Sequence, residues 1–107
     1  VRDTFHFIAG VSRLDSIRQV DPRKIFMVHI NDVERVPRRK MHDALRLFPG
    51  KGIIPLASIL RALKAIGYAD KVSVEIFRPQ YWNRPPLQVA REARATVLAA
   101  LRRAGFC

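Results

Sequence analysis

The stretch KIFMVHINDVE, residues 24–34, decides the fold class of this chain. Its residues 25–30 are apolar without alternation, which is typical of a strand covered on both faces in a parallel sheet. The apolar run ends at once in ionisable side chains, those of His29, Asp32 and Glu34. Because parallel α/β proteins bind ligands at the carboxyl ends of their strands, the stretch predicts a ligand site at this end.

The sequence on the carboxyl side of this strand predicts a helix, a second strand and another helix. Residues 55–67, PLASILRALKAIG, place apolar side chains on one helical stripe, begin with a proline that suits a first turn and end in a glycine that suits a C-terminal cap. Residues 71–77, KVSVEIF, are rich in β-branched residues and predict a strand. Residues 86–104 predict the last helix. Its predicted apolar face consists of Leu87, Ala90, Val97, Leu98 and Leu101.

The sequence on the amino side predicts an earlier βα unit. Residues 2–7, RDTFHF, predict the end of a strand, and residues 12–20 predict a short helix with Ser12 as its N-cap. The connection before residue 55 is about 25 residues long and rich in proline and glycine, and its segment RKMHDAL could hold a helical turn. The order of elements therefore predicts an α/β fold of parallel strands joined by right-handed crossovers.

Composition bounds the possible functions. With 107 residues, of which 49% are hydrophobic, the chain is predicted to form about one small domain with a packed core. Its formal charge of +11 favours nucleic acid, anionic membranes or phosphorylated small molecules as partners, although a solvated basic face explains such charge more often. Cys107 is the only cysteine, so no internal disulfide can form and a cytoplasmic location is expected. No stretch resembles a membrane span or a signal peptide, so no membrane association is predicted.

Each predicted strand carries a residue that can bind a metal at its carboxyl end: Asp3 in the first, His29 in the second and Glu75 in the third. Two carboxylates and an imidazole suit Mn²⁺, Mg²⁺, Co²⁺ or Zn²⁺. Ordinary explanations also exist, because a histidine in an apolar strand is more often a hydrogen-bonded core residue and Asp3 could cap a turn. Glu75 lies between Val74 and Ile76, where burial is costly unless the carboxylate is paired or coordinated. The agreement of three strands favours a metal site.

Other polar residues near these strand ends have open roles. His6 could be a fourth ligand or could donate to a substrate oxygen. Asp32 and Glu34 could hold the long loop or orient His29. Residues 46–52, RLFPGKG, have glycines and a lysine, but they lack the spacing of a Walker motif and give little support for a phosphate site.

Several motifs, in this order and spacing, resemble the xylose isomerase-like TIM barrel family of sugar isomerases and epimerases, most closely its inosose isomerase branch. The motifs are DTFHF (3–7), VHINDVE (28–34), R-x-x-P-G-x-G (46–52), IPL (54–56), GY (67–68) and VSVEIFRPQYW (72–82). The resemblance implies that Asp3, His29 and Glu75 are three of the four ligands of one divalent metal ion, with Mn²⁺ expected first. It also implies that Glu75 is one of two glutamates that move a proton, and that His6 and Arg46 contact sugar oxygens.

The resemblance further implies that the chain belongs to a larger barrel. A complete (β/α)8 barrel needs about 250 residues, whereas this chain has about three βα units, so residues 1–107 are expected to be the C-terminal part of a barrel. The fourth ligand of the family, a glutamate of an earlier strand, has no counterpart in these residues. Leu45, Lys51 and Pro85 depart from the residues usual in the family and leave the substrate open.

The expected function is therefore a metal-dependent isomerase or epimerase of a keto-sugar or inosose. A metal bound across a carbonyl and its neighbouring hydroxyl would acidify the C–H between them, and carboxylates on either side could move the proton through an enediolate. Because this activity belongs to the full barrel, an alternative is an inactive fragment that associates with itself or with a missing N-terminal half. A metal-dependent apurinic endonuclease is a further alternative, which the positive charge favours and the three histidines disfavour.

Overall fold

A computed structural model describes residues 1–10 and 12–106, so the prediction about Cys107 lies outside the described residues. The strands are β1 (Arg2–Asp3), β2 (Val28–Ile30), β3 (Asp32–Val33), β4 (Arg46–Leu47) and β5 (Val72–Val74). The helices are α1 (Thr4–Ala9), α2 (Leu14–Arg18), α3 (Leu56–Ala65), α4 (Pro79–Trp82) and α5 (Pro86–Arg103). Among the helices in these ranges, none has the length and apolar character needed to cross a membrane.

Strands β1, β2 and β5 form one parallel sheet in that order. In its register, Asp3 lies beside His29, and His29 lies beside Ser73. Helices α1 and α2 connect β1 to β2, and α3 connects β2 to β5, so neighbouring parallel strands are joined through helices. This arrangement confirms the predicted α/β fold with about three βα units.

The hydrophobic core lies on the face of the sheet that α3 covers. On β2, Val28 and Ile30 are 1% and 0% exposed, whereas His29 between them projects from the other face. The predicted apolar stripe of α3 is buried in the same cluster and includes Leu56, Ile59, Leu60 and Leu63. Burial of each such side chain contributes roughly 1.5–3 kcal/mol. Gly67 follows α3 with a φ of 88°, the left-handed conformation that favours glycine after a helix.

The prediction of a strand over residues 2–7 is wrong after Asp3. The Asp3 Oδ1 atom accepts hydrogen bonds from the backbone N–H groups of Phe5 at 2.8 Å and His6 at 3.2 Å, and thereby caps α1. The helix therefore begins at Thr4, and His6 lies on α1 rather than on a strand. The capping role considered for Asp3 is confirmed, and it leaves the second carboxylate oxygen free of these bonds.

Both longer strands are shorter than predicted. The strand predicted over residues 25–30 begins only at Val28, after a 3₁₀ turn over Pro22–Lys24 whose C-cap is Ile25. The strand predicted over residues 71–77 is limited to β5. Glu75 therefore directly follows its strand.

Two helix predictions also change. The helix predicted over residues 12–20 is limited to α2, and Arg13, which makes no side-chain capping bond, takes the N-cap position predicted for Ser12. On α5, Leu87 is 62% exposed and Ala90 is also exposed. The buried residues of α5, Val97 and Ala100, lie in its C-terminal half, which is the part that packs in the core.

The long connection after β2 contains short strands and 3₁₀ turns. β3 and β4 form an antiparallel pair, with two 3₁₀ turns between them that agree with the helical turn considered for RKMHDAL. The Asp32 side chain holds this loop, because its Oδ1 accepts hydrogen bonds from the N–H groups of Val33 at 3.0 Å and Ile54 at 2.8 Å. Its Oδ2 accepts one from Gly50 at 3.0 Å. A Cβ atom on Gly52 would collide with the Val33 carbonyl oxygen, so the loop requires glycine there.

Candidate metal centre

Three side chains from the three parallel strands meet at the carboxyl edge of the sheet. Asp3 ends β1, His29 lies within β2, and Glu75 follows β5. Since Ser73 is beside His29 and side chains alternate along a strand, Glu75 projects from the same face as His29. One potential ligand atom from each of the three residues lies within 4.8 Å of the other two. The structure thus brings together the residues predicted as ligands.

The donor atoms of this cluster fit one divalent metal ion. The His29 Nδ1 atom lies 3.3 Å from Glu75 Oε2 and 3.7 Å from Asp3 Oδ2. Ligand atoms held about 2.0–2.2 Å from one metal lie roughly 3–3.5 Å apart, so only small shifts would be needed. The side chains of Asp3, His29 and Glu75 are 6%, 22% and 36% exposed, which leaves the cluster accessible from solvent.

Arg46 supplies positive charge beside these carboxylates. Its side chain is 1% exposed, and its Nη1 atom donates to Asp3 Oδ2 at 3.0 Å and to Glu75 Oε2 at 3.3 Å. On the opposite edge of the guanidinium, Nε and Nη2 donate to Asp43 Oδ1 at 3.0 and 2.7 Å. Charged partners on both edges offset the cost of burying this arginine and fix its orientation.

Aromatic rings and His6 surround the same guanidinium. The Cζ atom of Arg46 lies 4.6 Å from the centroid of the Phe5 ring and 5.3 Å from that of Phe77. The exposed His6 ring places Nε2 3.5 Å from Arg46 Nη2. His6 thus adjoins Arg46 and is not among the residues whose potential ligand atoms converge.

Sequence reasoning missed two residues that contact this cluster, Asn31 and Asp43. Asn31 is fully buried, and its Nδ2 atom donates to Asp3 Oδ1 at 3.3 Å and to the Glu75 carbonyl oxygen at 3.1 Å. The available signal for Asn31 is its place directly after an apolar strand. The signal for Asp43 is its spacing of three residues from Arg46, which sets opposite charges about one turn apart.

A parallel sheet joined through helices, with polar side chains gathered at its carboxyl edge, defines this chain as part of a (β/α)8 barrel. A family model of the xylose isomerase-like TIM barrel matches residues 1–101, and the chain belongs to this family. Both the predicted family and the predicted fold class are therefore confirmed.

The chain is also similar to individual members of known activity or structure. It is 43% identical over 98 residues to the inosose isomerase of Bacillus subtilis (strain 168), which covers 92% of this chain and 35% of the relative. The crystal structure of IOLI protein with a zinc atom bound has a TM-score of 0.92 and 40% identity over 96% of this chain and 37% of that one. A xylose isomerase domain protein from Alicyclobacillus acidocaldarius has a TM-score of 0.85 and 31% identity, over 97% of this chain and 37% of that one. The chain thus spans about a third of the length of the curated inosose isomerases it matches.

Proposed function

We propose that the protein is a divalent-metal-dependent isomerase or epimerase of a keto-sugar or inosose, and that residues 1–107 form the C-terminal part of its barrel. The convergence of Asp3, His29 and Glu75 within 4.8 Å carries this proposal. The 43% identity to an inosose isomerase supports it. A small sugar or cyclitol would be the substrate, and the cytoplasmic location stays a prediction from the sequence.

In this proposal Asp3, His29 and Glu75 would supply three of the four protein ligands of one divalent metal ion, and a glutamate of an earlier strand would supply the fourth. Mn²⁺ is the first expectation, with Mg²⁺, Co²⁺ and Zn²⁺ as alternatives, and the zinc atom in the related IOLI protein supports Zn²⁺. When bound, the ion would polarise the substrate carbonyl and acidify the neighbouring C–H. The ligand set leaves coordination positions open for substrate oxygens.

Glu75 would also move the proton between adjacent carbons of the substrate. Its side chain is 36% exposed, and its Oε2 atom lies 3.3 Å from both His29 Nδ1 and Arg46 Nη1. As one of two glutamates, Glu75 would exchange the proton with one carbon of the enediolate, and the second glutamate, from an earlier strand of the barrel, would exchange it with the other.

His6 would contact a substrate oxygen directly, whereas Arg46, whose side chain is 1% exposed, would act on the substrate oxygens through its charge. The guanidinium of Arg46 is already oriented by Asp43, so its positive charge stabilises the negative charge that develops on the substrate without further reorganisation. His6 is exposed beside it and can donate a hydrogen bond to a neighbouring hydroxyl or carbonyl oxygen.

The test measures metal binding and proton exchange on the protein at its full natural length. After treatment with a chelator, titration calorimetry with Mn²⁺ and Zn²⁺ is expected to show one site per chain. With metal restored, incubation with an inosose in D₂O is expected to exchange the hydrogen next to the carbonyl, which NMR detects. Glu75→Gln should weaken metal binding and abolish the exchange. Glu34→Gln is the matched control, because Glu34 pairs with Arg78 at 2.9 Å outside the ligand cluster.

Other results would overturn the proposal. They include a wild-type protein that binds no divalent metal, or Glu75→Gln protein that exchanges the proton at the wild-type rate. Metal binding without any exchange, together with concentration-dependent sedimentation, would support the self-associating, non-catalytic alternative. Metal-dependent cleavage of DNA at abasic sites would support the endonuclease alternative that the charge of +11 favours.

A further inference from the structure

The Asn31 side chain joins the ends of the three parallel strands. It follows β2 and is 0% exposed. Its Nδ2 atom donates to Asp3 Oδ1 at 3.3 Å and Oδ2 at 3.4 Å, and to the Glu75 carbonyl oxygen at 3.1 Å. Its Oδ1 atom accepts from the Thr4 hydroxyl at 2.7 Å, and its backbone N–H donates to the same hydroxyl oxygen at 3.0 Å. The Asn31 residue therefore contacts Asp3 at the end of β1, Thr4 at the start of α1 and Glu75 directly after β5.

The chemistry of these partners fixes the orientation of the amide. Carboxylate and carbonyl oxygens only accept hydrogen bonds, so the amino group of Asn31, with its two N–H bonds, must face Asp3 and Glu75. A leucine at this position would have a similar shape but no donor. The position thus requires a neutral side chain with two donors.

Two kinds of contact hold the Asp3 carboxylate. The N–H groups of Phe5 and His6 donate to Oδ1 only, whereas Asn31 Nδ2 lies 3.3 and 3.4 Å from the two oxygens and holds the carboxylate as a whole. Asp3 Oδ2 is then turned toward His29 Nδ1, at 3.7 Å. On the other side, Asn31 holds the backbone of Glu75 at the point where this ligand leaves the sheet.

We propose that Asn31 is a positioning residue of the metal centre, which fixes the Asp3 carboxylate and the Glu75 backbone relative to His29. This inference rests on the proposed function, because it assumes that these three residues hold a metal. Asn31 acts through the ligands and touches neither metal nor substrate. Loss of a residue that orients a ligand typically weakens metal affinity about 10–100-fold.

The decisive variant is Asn31→Leu, which removes both donors with little change in shape and no added charge. In calorimetric titration of the full-length protein with Zn²⁺, we expect its affinity to fall about 10–100-fold, and the Co²⁺ absorption spectrum to change. Ile30→Val is the matched control. Ile30 is buried in the core on the face of the strand opposite His29, so this substitution lowers stability without changing a contact to the three ligands. Its Zn²⁺ affinity should equal that of the wild type.

Thr4→Val keeps both donors but removes the hydroxyl that supports the Asn31 amide, so we expect a smaller loss of affinity in the same direction. If Asn31→Leu fails to fold, the Zn²⁺ affinity of Thr4→Val tests the inference in its place. If the wild type binds Zn²⁺ and the folded Asn31→Leu and Thr4→Val variants bind it with the same affinity, this inference is overturned and the proposed function still stands. If Ile30→Val weakens Zn²⁺ binding as much as Asn31→Leu does, the loss of affinity follows from lower stability, and the positioning role of Asn31 is also overturned. A wild-type protein that binds neither Zn²⁺ nor Mn²⁺ would overturn the proposed function and this inference together.

Discussion

Replacement of Asp32 by Asn tests whether this buried carboxylate holds the loop that brings Arg46 to the candidate metal centre. Asp32 is 1% exposed and accepts three backbone hydrogen bonds at 2.8 to 3.0 Å. The asparagine can keep its carbonyl oxygen on Val33 and Ile54. Its amino group then replaces Oδ2 and faces the N–H of Gly50, so that two donors oppose each other.

The expected loss of stability follows from the individual bonds. The bond to Gly50 is lost, and a hydrogen bond to a charged acceptor contributes roughly 1.5–3 kcal/mol. The two remaining bonds become neutral and about half as strong, which costs on the order of 1 kcal/mol each. We therefore expect Asp32→Asn to lower the free energy of unfolding by about 3–5 kcal/mol, a large part of the stability of a typical domain.

Urea denaturation of the full-length protein, followed by circular dichroism, measures this loss. Asp15→Asn is the matched control, because Asp15 is 64% exposed and pairs on the surface with Arg18 at 3.1 Å. Such a pair contributes less than about 1 kcal/mol, so the control should unfold nearly as the wild type does. A loss below about 1 kcal/mol in Asp32→Asn would refute the argument that these charge-assisted bonds hold the loop.

Three further changes test other parts of the fold. Burial raises the pKa of Tyr68, whose hydroxyl donates to the Lys71 carbonyl oxygen at 2.5 Å. Because the folded pKa lies above the ordinary value near 10, stability should fall as pH rises above about 10, and Tyr68→Phe should reduce this fall in denaturation at pH 9 and 11. Gly52→Ala should cost about 1–3 kcal/mol in the same assay, because the new Cβ collides with the Val33 carbonyl oxygen. Arg46→Met should cost about 3–5 kcal/mol in metal-free protein, and Zn²⁺ should raise its melting temperature more than that of the wild type; an equal rise would contradict the role of Arg46 as counter-charge.

The parts of the fold that are predictable from the sequence have strong local patterns. The stripe of α3 needs burial on one face, and the structure buries it there. The apolar run 25–30, predicted to be covered on both faces, is buried at Ile25, Val28 and Ile30, whereas Phe26 is 74% exposed. The error at β1 also has a local cause, because the Asp3 carboxylate caps a helix that begins at Thr4, three residues before the stretch RDTFHF ends. The errors in strand length arise because apolar side chains also lie outside the strands, before Val28 in β2 and after Val74 in β5.

Only those site residues whose positions follow from the arrangement of the parallel strands were predictable from the sequence. Parallel strands bring their carboxyl ends to one edge, which is why Asp3, His29 and Glu75 could be named as a group. Arg46 is 43 residues from Asp3 in sequence, and no local pattern shows that it bonds to the carboxylates themselves. Asn31 is similar, since its contact with Glu75 joins residues 44 positions apart. Such contacts depend on the three-dimensional path of the long loop.

The charge of the whole chain is also a poor guide to this site, because the local charge has the opposite sign. The carboxylates of Asp3, Asp43 and Glu75 surround the one guanidinium of Arg46, which leaves two formal negative charges when His29 is neutral. Without Arg46 the neighbouring carboxylates would repel one another, whereas full neutralisation would remove the attraction for a cation. At physiological ionic strength, exposed arginines more than about 8 Å from the cluster have their charge largely screened from it. Arg46 therefore sets the cluster at a charge that one divalent ion would balance, in a chain whose total charge is +11.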